Sequence, residues 1–266
     1  MSNVRHHEPN QTMRRIIPAV LFAVAAYADA ASIGIGRTDN GRNLSGILIE
    51  GQIVAGDFEK FQSQVLRREN IDPVWLASPG GDVVEAMKIG ELVRELKLSV
   101  WAPSKNGLLF PTIGSASNSV CASACFYIYA AGVQRRGEVV GIHRPYFSPS
   151  ALSKSSLNEA ANAQAAALEL SRAFLARAGV PASIVERIGT IASDKISWLA
   201  ESDLATLNGF IPEFDEWFRA KCATSPNTRL PTSHSERAEC EMSLLEQEQG
   251  AARFRWLLRT APRTKP

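Results

Sequence analysis

Two side chains in this sequence have the chemistry of a nucleophile and its base. Ser123 lies in Ser119-Val120-Cys121-Ala122-Ser123-Ala124-Cys125, and His143 lies in Gly141-Ile142-His143-Arg144-Pro145. A serine hydroxyl attacks a carbonyl at neutral pH only when a base takes its proton. Imidazole is the base proteins use most often for that purpose. Upstream, Ser78-Pro79-Gly80-Gly81 forms a turn without side chains at its last two positions. There backbone N–H groups can approach a ligand closely, and a following helix adds its positive end. A nucleophile, a base and an anion site are the three parts of acyl transfer.

Each part also has a plainer reading. Ser123 opens an apolar, helix-like stretch at 120–131, where small residues often serve close packing alone, and Ser115, Ser117 and Ser119 are nearby. In favour of chemistry, Ala122 and Ala124 leave room for a carbonyl, and the amide of Ala124 would lie near a helix N-terminus. His143 could be a structural donor, and Pro-Gly-Gly is a common turn. Among the other histidines, His6 and His7 precede an apolar leader and His234 sits in a polar loop. Only His143 ends an apolar strand-like run, where open α/β sheets place their sites.

Cys121 and Cys125 are four apart, on one face of the expected helix. They read first as buried small hydrophobes. A disulfide, half a metal site, or a thiol nucleophile in place of Ser123 remain open. No other Cys or His pair completes zinc spacing, so no metal is expected. Cys222 and Cys240 lie in a polar segment with few large apolar residues, where a disulfide would help most.

The elements that must position these residues alternate along the chain. Strand-like runs lie at 46–53, 74–77, 98–101 and 138–142. Helical periodicity covers 58–66, 83–96, 155–179 and 181–190. Asp82 with Glu85 is an acidic variant of a capping box opening the second helix. Strands alternating with helices imply an α/β fold with a parallel sheet and crossover helices. Residues 103–118 read as a Gly/Ser/Pro/Asn loop and residues 31–44 as a linker. Residues 216–266 form a charged helical segment with a loop at 224–235. The main domain is thus expected at 45–215.

The chain has 266 residues, 45% hydrophobic and 21% charged, with a net charge of +2. That balance suits a globular core and argues against nucleic acid or an anionic membrane as an obligatory partner. At the N-terminus, Arg14-Arg15 precede the apolar run Ile16–Ala26 and the small-residue site Ala28-Asp29-Ala30. This is the pattern of a signal peptide around residues 13–30, with translation starting at Met13 and 1–30 removed. The expected location is periplasmic or secreted, with no membrane association unless the apolar run stays attached. Four cysteines fit that compartment.

Taken together, these motifs resemble the Clp-type peptidase branch of the ClpP/crotonase superfamily, from about Gly46 to Gly209. Ser78-Pro79-Gly80-Gly81 resembles its oxyanion turn, and Ala122-Ser123-Ala124 its nucleophile between small residues. Ile142-His143-Arg144-Pro145 resembles the segment carrying the base. Helix 155–179 is placed like its projecting handle, and Trp198-Leu199-Ala200-Glu201 with Asn208-Gly209-Phe210 is similar to its closing segment. The resemblance implies a ββα-repeat spiral and an ATP-independent serine peptidase acting on peptides or unfolded chains, without cofactor and as a homo-oligomer. It implies Ser123, His143 and Asp194 as a triad, with Gly80, Gly81 and Ala124 at the oxyanion. Asp194 sits about two positions early for the family's acid. Asp203 is a weaker candidate, and Lys195 offers a Ser–Lys dyad instead. A catalytically silent peptide- or partner-binding protein on the same fold is the alternative.

Overall fold

The computed structural model describes residues 30–37, 45–69, 71–105, 119–146, 156–223 and 234–260. Nearly all of the signal peptide expected at 13–30, most of the 103–118 loop and most of the loop expected at 224–235 lie outside the described residues. In chain order the first elements are β1 (Ser32–Arg37), β2 (Ser45–Glu50), α1 (Asp57–Arg67), β3 (Val74–Ala77), α2 (Val83–Glu95) and β4 (Ser99–Trp101). Then come β5 (Cys121–Ala122), α3 (Cys125–Ala131), β6 (Gln134–Arg136), β7 (Val140–Ile142) and α4 (Leu157–Arg177). The chain finishes with α5 (Ala182–Thr190), β8 (Ser197–Trp198), α6 (Glu201–Leu207), β9 (Gly209–Phe210), α7 (Pro212–Ala223) and α8 (His234–Thr260).

A repeated unit orders the central elements. β2, β3, β4 and β6 pair in parallel, flanked by antiparallel β1 and β9. After each central strand the chain steps into a second, smaller layer before entering a helix. In that layer Ile53 bridges Gly81, Ser78 bridges Cys121, and β5 pairs with β7, all in parallel. β8 closes its edge antiparallel to β7. The helices that follow are α1, α2, α3 and α4, so the chain winds as a spiral of ββα units. This is the α/β architecture that the resemblance implies.

Apolar patterning explains why these segments take these forms. Ile47, Ile49, Val74, Leu76 and Val100 are completely buried on the main sheet, as are Leu48 and Trp75 nearly or fully on its other face. Strands covered on both faces read as continuous apolar runs rather than alternating ones. Burial of each large aliphatic side chain contributes about 1.5–3 kcal/mol. α1 turns Phe61 and Val65 inward, and α2 turns Ala86, Ile89 and Val93 inward. Where α2 meets α4, a Cβ at Gly90 would lie 2.8 Å from the Phe174 ring, so the two helices approach through a missing side chain.

The structure departs from the sequence reading in identifiable places. Residues 32–37, read as part of a linker, form β1, with Ile33 opposite Ile49 and Ile35 opposite Ile47. Their glycines hid the alternation. The helix expected over 120–131 begins only at Cys125, because Cys121–Ala122 are strand β5. β6 went unread because Gln134-Arg135-Arg136 is polar, yet Arg135 is buried. Its guanidinium donates to Gly132 O, 3.1 Å away, and to Ala178 O, at the carbonyl ends of α3 and α4. Those negative helix ends offset a charge that burial otherwise disfavours. Burial pushes the Arg135 pKa down to about 10.

α7 and α8 are joined by the Cys222–Cys240 disulfide. Phe218 and Leu245 pack with Val133 and Ile211 beneath them. α8 then crosses the carbonyl ends of α1 and α2. Gln249 donates to Lys97 O at 2.9 Å, and Arg253 donates to Val65 O at 3.2 Å and to Arg68 O. Trp256 enters the main core, while Phe254 and Leu258 stay exposed. Among the described residues no helix is long and apolar enough to cross a membrane.

Candidate active site

Successive ββα units bring Gly81, Ser123 and His143 to the wall of one cavity of about 640 Å³. The parallel small layer accounts for this. Ala122 N–H donates to Ser78 O, and Ser123 N–H donates to Gly141 O, each at 3.0 Å. Ser123 is therefore held between the glycine turn on one side and the strand leading to His143 on the other.

Ser123 sits in the sharp turn from β5 to α3 with φ of +57°. Left-handed backbone costs an L-residue roughly 1–2 kcal/mol and lasts only where neighbours over-determine it. The Cys121–Cys125 disulfide spans this turn, so these residues are neither separate buried thiols nor a metal half-site. No thiol nucleophile exists beside Ser123, since both sulfurs are bonded to each other. Among the described residues no cluster of His, Cys, Asp and Glu gathers that could hold a metal ion.

The glycine turn divides its tasks. Gly80 has φ of +108° and Gly81 has φ of +138°, both outside comfortable L-residue backbone. A Cβ on Gly80 would lie 2.9 Å from Ala124 N, so this turn presses directly on the start of α3. Gly80, named from the resemblance among the oxyanion donors, has its amide occupied: Gly80 N–H donates to Ser78 Oγ at 3.1 Å, and its carbonyl accepts from Ile53 N–H at 2.8 Å. Ser78 is fully buried, and its role in shaping the turn was not read from the sequence. Gly81 is different. In its parallel bridge with Ile53 the bonds run through Gly80 O and Asp82 N, which turns the Gly81 N–H to the opposite side. Neither Gly81 N–H nor Ala124 N–H donates to another described residue. Both belong to helix-start turns, where free amides favour an anion. Asp82 caps α2 by accepting from Val84 and Glu85 N–H at 2.8 and 3.0 Å.

Glu85 fixes the entry of α2 against α1. Its carboxylate accepts from Gly56 and Phe58 N–H at 3.1 and 3.0 Å and pairs with Lys88. Burial works against its charge, but the Lys88 ammonium and the Phe58 and Gly56 amides outweigh it and hold the carboxyl below its ordinary range. The turn before α2 is thus braced from behind.

His143 is 8% exposed and ends β7. Its Nδ1 lies 2.7 Å from the carbonyl of Arg144. A carbonyl only accepts, so Nδ1 carries the proton and Nε2 holds the lone pair in the neutral ring. The neighbouring Pro145 carbonyl accepts from Gln164 on α4, which ties the His143 segment to that helix. No direct hydrogen bond joins Ser123 Oγ to His143; both face the shared cavity.

Neither carboxylate expected to orient the imidazole bonds to it. Asp194 is exposed and makes no hydrogen bond or ion pair with His143, whose Nδ1 is taken by the Arg144 carbonyl. Asp203 binds Arg187 at 2.6 Å and Ala200 N–H at 3.1 Å, and Arg187 holds its carboxyl below the ordinary range. Lys195 is exposed and makes no hydrogen bond to Ser123. The spacing of motifs along the sequence could not reveal a main-chain carbonyl as the partner of the ring.

Apart from Gln52, Asp82 and Tyr146, the other described residues of the cavity wall are apolar. Val83 and Met87 of α2 face Ala163, Ala166, Ala167 and Leu170 of α4 across it. The C-terminal end of α4 is anchored through Phe174, Leu175 and a hydrogen bond between Ser171 and Tyr127, and its middle through Gln164, while Leu157 at its start is 91% exposed. The alanine positions give the cavity its depth.

No family model matches the sequence, and no curated protein matches it. Solved structures are similar in fold. One is a variant of the membrane-bound stomatin-specific protease 1510-N, with 17% identity and a TM-score of 0.40, over 66% of this chain and 83% of that one. Another is a variant of ClpP1 from Listeria monocytogenes, with 22% identity and a TM-score of 0.40, over 59% of this chain and 82% of that one. At such identity the likeness concerns the fold alone, and the chemistry rests on the site's own geometry.

Proposed function

We propose that the protein is a serine hydrolase that cleaves peptide bonds beside an apolar side chain, using Ser123 and His143. The observation that carries this reading is the shared cavity. Its wall holds a serine in a left-handed turn, a histidine with Nε2 free to accept, and Gly81, whose amide, like that of Ala124 next to the serine, has no partner among the described residues. Ser123 Oγ attacks the carbonyl carbon while His143 Nε2 takes the hydroxyl proton. The oxyanion rests against the amides of Gly81 and Ala124. His143 then delivers the proton to the leaving amine, the C–N bond breaks, and an acyl-enzyme remains. Water, deprotonated by the same nitrogen, releases the acid and restores the serine. An oxyanion donor contributes about 2.7–4 kcal/mol in comparable sites. Throughout, the Arg144 carbonyl steadies the ring and its developing charge in the place of a carboxylate.

The cavity lining sets the substrate. Among the described residues, apart from Asp82, whose carboxylate caps α2, and His143 itself, no charged side chain lines it, and Val83, Met87 and Leu170 suit an aliphatic or aromatic group. Export to the periplasm or medium is part of this proposal. The basic-apolar-small pattern at 14–30 and two disulfides among the described residues support it.

A fluorophosphonate tests the chemistry. Wild type is expected to gain one phosphonyl group on Ser123, and Ser123→Ala none. The missing Ser123–His143 hydrogen bond favours a second reading, a peptide-binding protein with the same groove. Wild type that resists the reagent yet binds apolar peptides would establish that reading instead.

A further inference from the structure

Two non-glycine residues among those described have left-handed backbone, Lys97 and Ser123. Lys97 follows α2 and is an ordinary helix ending, with Leu98 N–H returning to Val93 O. Ser123 has no such excuse, since it lies between a strand and a helix start. The disulfide between Cys121 and Cys125 closes a ring around it, with the two Cα atoms 5.3 Å apart. Both cysteines are completely buried. One belongs to β5 and the other is the first residue of α3, so the bond fastens strand to helix across the nucleophile.

Local sequence alone favours something else. Val120–Ala131 is a run of small and apolar residues that would extend α3 backwards through Ser123. In such a helix, residues four apart have Cβ atoms roughly 5–6 Å apart. A disulfide requires about 3.5–4.5 Å. The bond and the extended helix are therefore incompatible. With the bond formed, the strand-turn-helix path is the one that remains, and Ser123 stays at the cavity wall with its amide on Gly141 O.

We propose that Cys121 and Cys125 are positioning residues whose disulfide keeps the nucleophile turn from winding into α3. The proposal rests on the hydrolase reading above and adds a device to it. It assigns Cys222–Cys240 a different role, confined to holding α7 and α8 together.

The experiment compares Cys121→Ala/Cys125→Ala with Cys222→Ala/Cys240→Ala in the full chain. Two readouts are taken on folded protein: saturation kinetics of fluorophosphonate labelling, and amide exchange at Ser123. The first variant is expected to lose at least tenfold in the maximal labelling rate with the half-saturating concentration within twofold. Its Ser123 amide should lose at least tenfold in protection, because its bond to Gly141 O opens. The second variant should keep both values within twofold of wild type. Labelling and protection unchanged in the first variant would overturn the proposal. If wild type itself is not labelled, the hydrolase reading falls, while the exchange data still decide whether the bond holds the turn. Should the first variant fail to fold, folded wild type is reduced with a phosphine and its opened bonds counted by mass after alkylation of a parallel sample. Labelling must then fall as the Cys121–Cys125 bond opens and return on reoxidation; a constant rate with that bond open refutes the inference.

Discussion

A Cβ placed on Gly80 would fall 2.5 Å from the Cβ of Ser123. The two residues come from different units of the spiral and touch as closely as backbone allows. Gly80→Ala must therefore displace the nucleophile, the turn, or both. It also forces φ of +108° on an L-residue, a strain of about 1–3 kcal/mol. The expected outcome is a lower melting temperature and a loss of at least a hundredfold in labelling rate, checked by calorimetry and fluorophosphonate kinetics.

His143 and Asp194 should separate cleanly. His143→Gln removes the accepting nitrogen and is expected to lower kcat by roughly a hundredfold or more. Asp194→Asn should change kcat/KM by less than threefold, since the Arg144 carbonyl already holds Nδ1. Lys195→Ala should behave like Asp194→Asn. Peptide cleavage followed by mass spectrometry reads all three. A hundredfold loss in Asp194→Asn would restore the carboxylate triad that the motifs imply.

Much of this site was legible because it lies in motifs. Ser78-Pro79-Gly80-Gly81, Ala122-Ser123-Ala124 and Ile142-His143 each announce a turn or a strand end, and the apolar runs at 47–49, 74–76 and 139–142 mark buried strands. What remained hidden depends on groups that carry no side-chain signature. The Arg144 carbonyl at the imidazole, the occupied amide of Gly80 and the left-handed backbone of Ser123 are properties of chain path. β6 was hidden for another reason: helix ends accommodate Arg135, so a charged tripeptide could be a buried strand. The disulfide at Cys121 could not be separated from plain burial, since spacing of four fits both.

Filling the apolar cavity should act on binding. Ala167 lines it from α4, opposite Val83 and Met87. Ala167→Phe is expected to raise KM at least tenfold for peptides with a large apolar side chain at the cleavage site. Steady-state kinetics on a peptide series checks this.

Asp72 gives the fold a pH signature. Its carboxylate accepts from Ser99 N–H, and its pKa rises from 3.8 to about 6. Burial is the main cause, opposed by Ser99 and Gln249 and aided by Glu246 on α8. The folded state therefore holds this proton more tightly than the unfolded chain. The resulting stabilisation is complete below about pH 4 and lost as pH rises through about 6. Asp72→Asn keeps an acceptor for Ser99 and abolishes the dependence. Melting temperatures across this range should show wild type falling relative to the variant.

Opening the Cys222–Cys240 link frees a loop of 18 residues in the unfolded chain. Loop-closure entropy puts the loss at about 3 kcal/mol. Urea titration of Cys222→Ala/Cys240→Ala measures it.

Each turn of the spiral contributes its part of the site at the same height: the bend at 78–81, the elbow at 121–125, the strand tip at 140–143. Of the helices that return the chain for the next turn, α2 and α4 also wall the cavity. Their lengths differ, 21 residues in α4 against 7 in α3. Changes along α2 or α4 can therefore alter what the cleft admits while bend, elbow and strand tip keep their places.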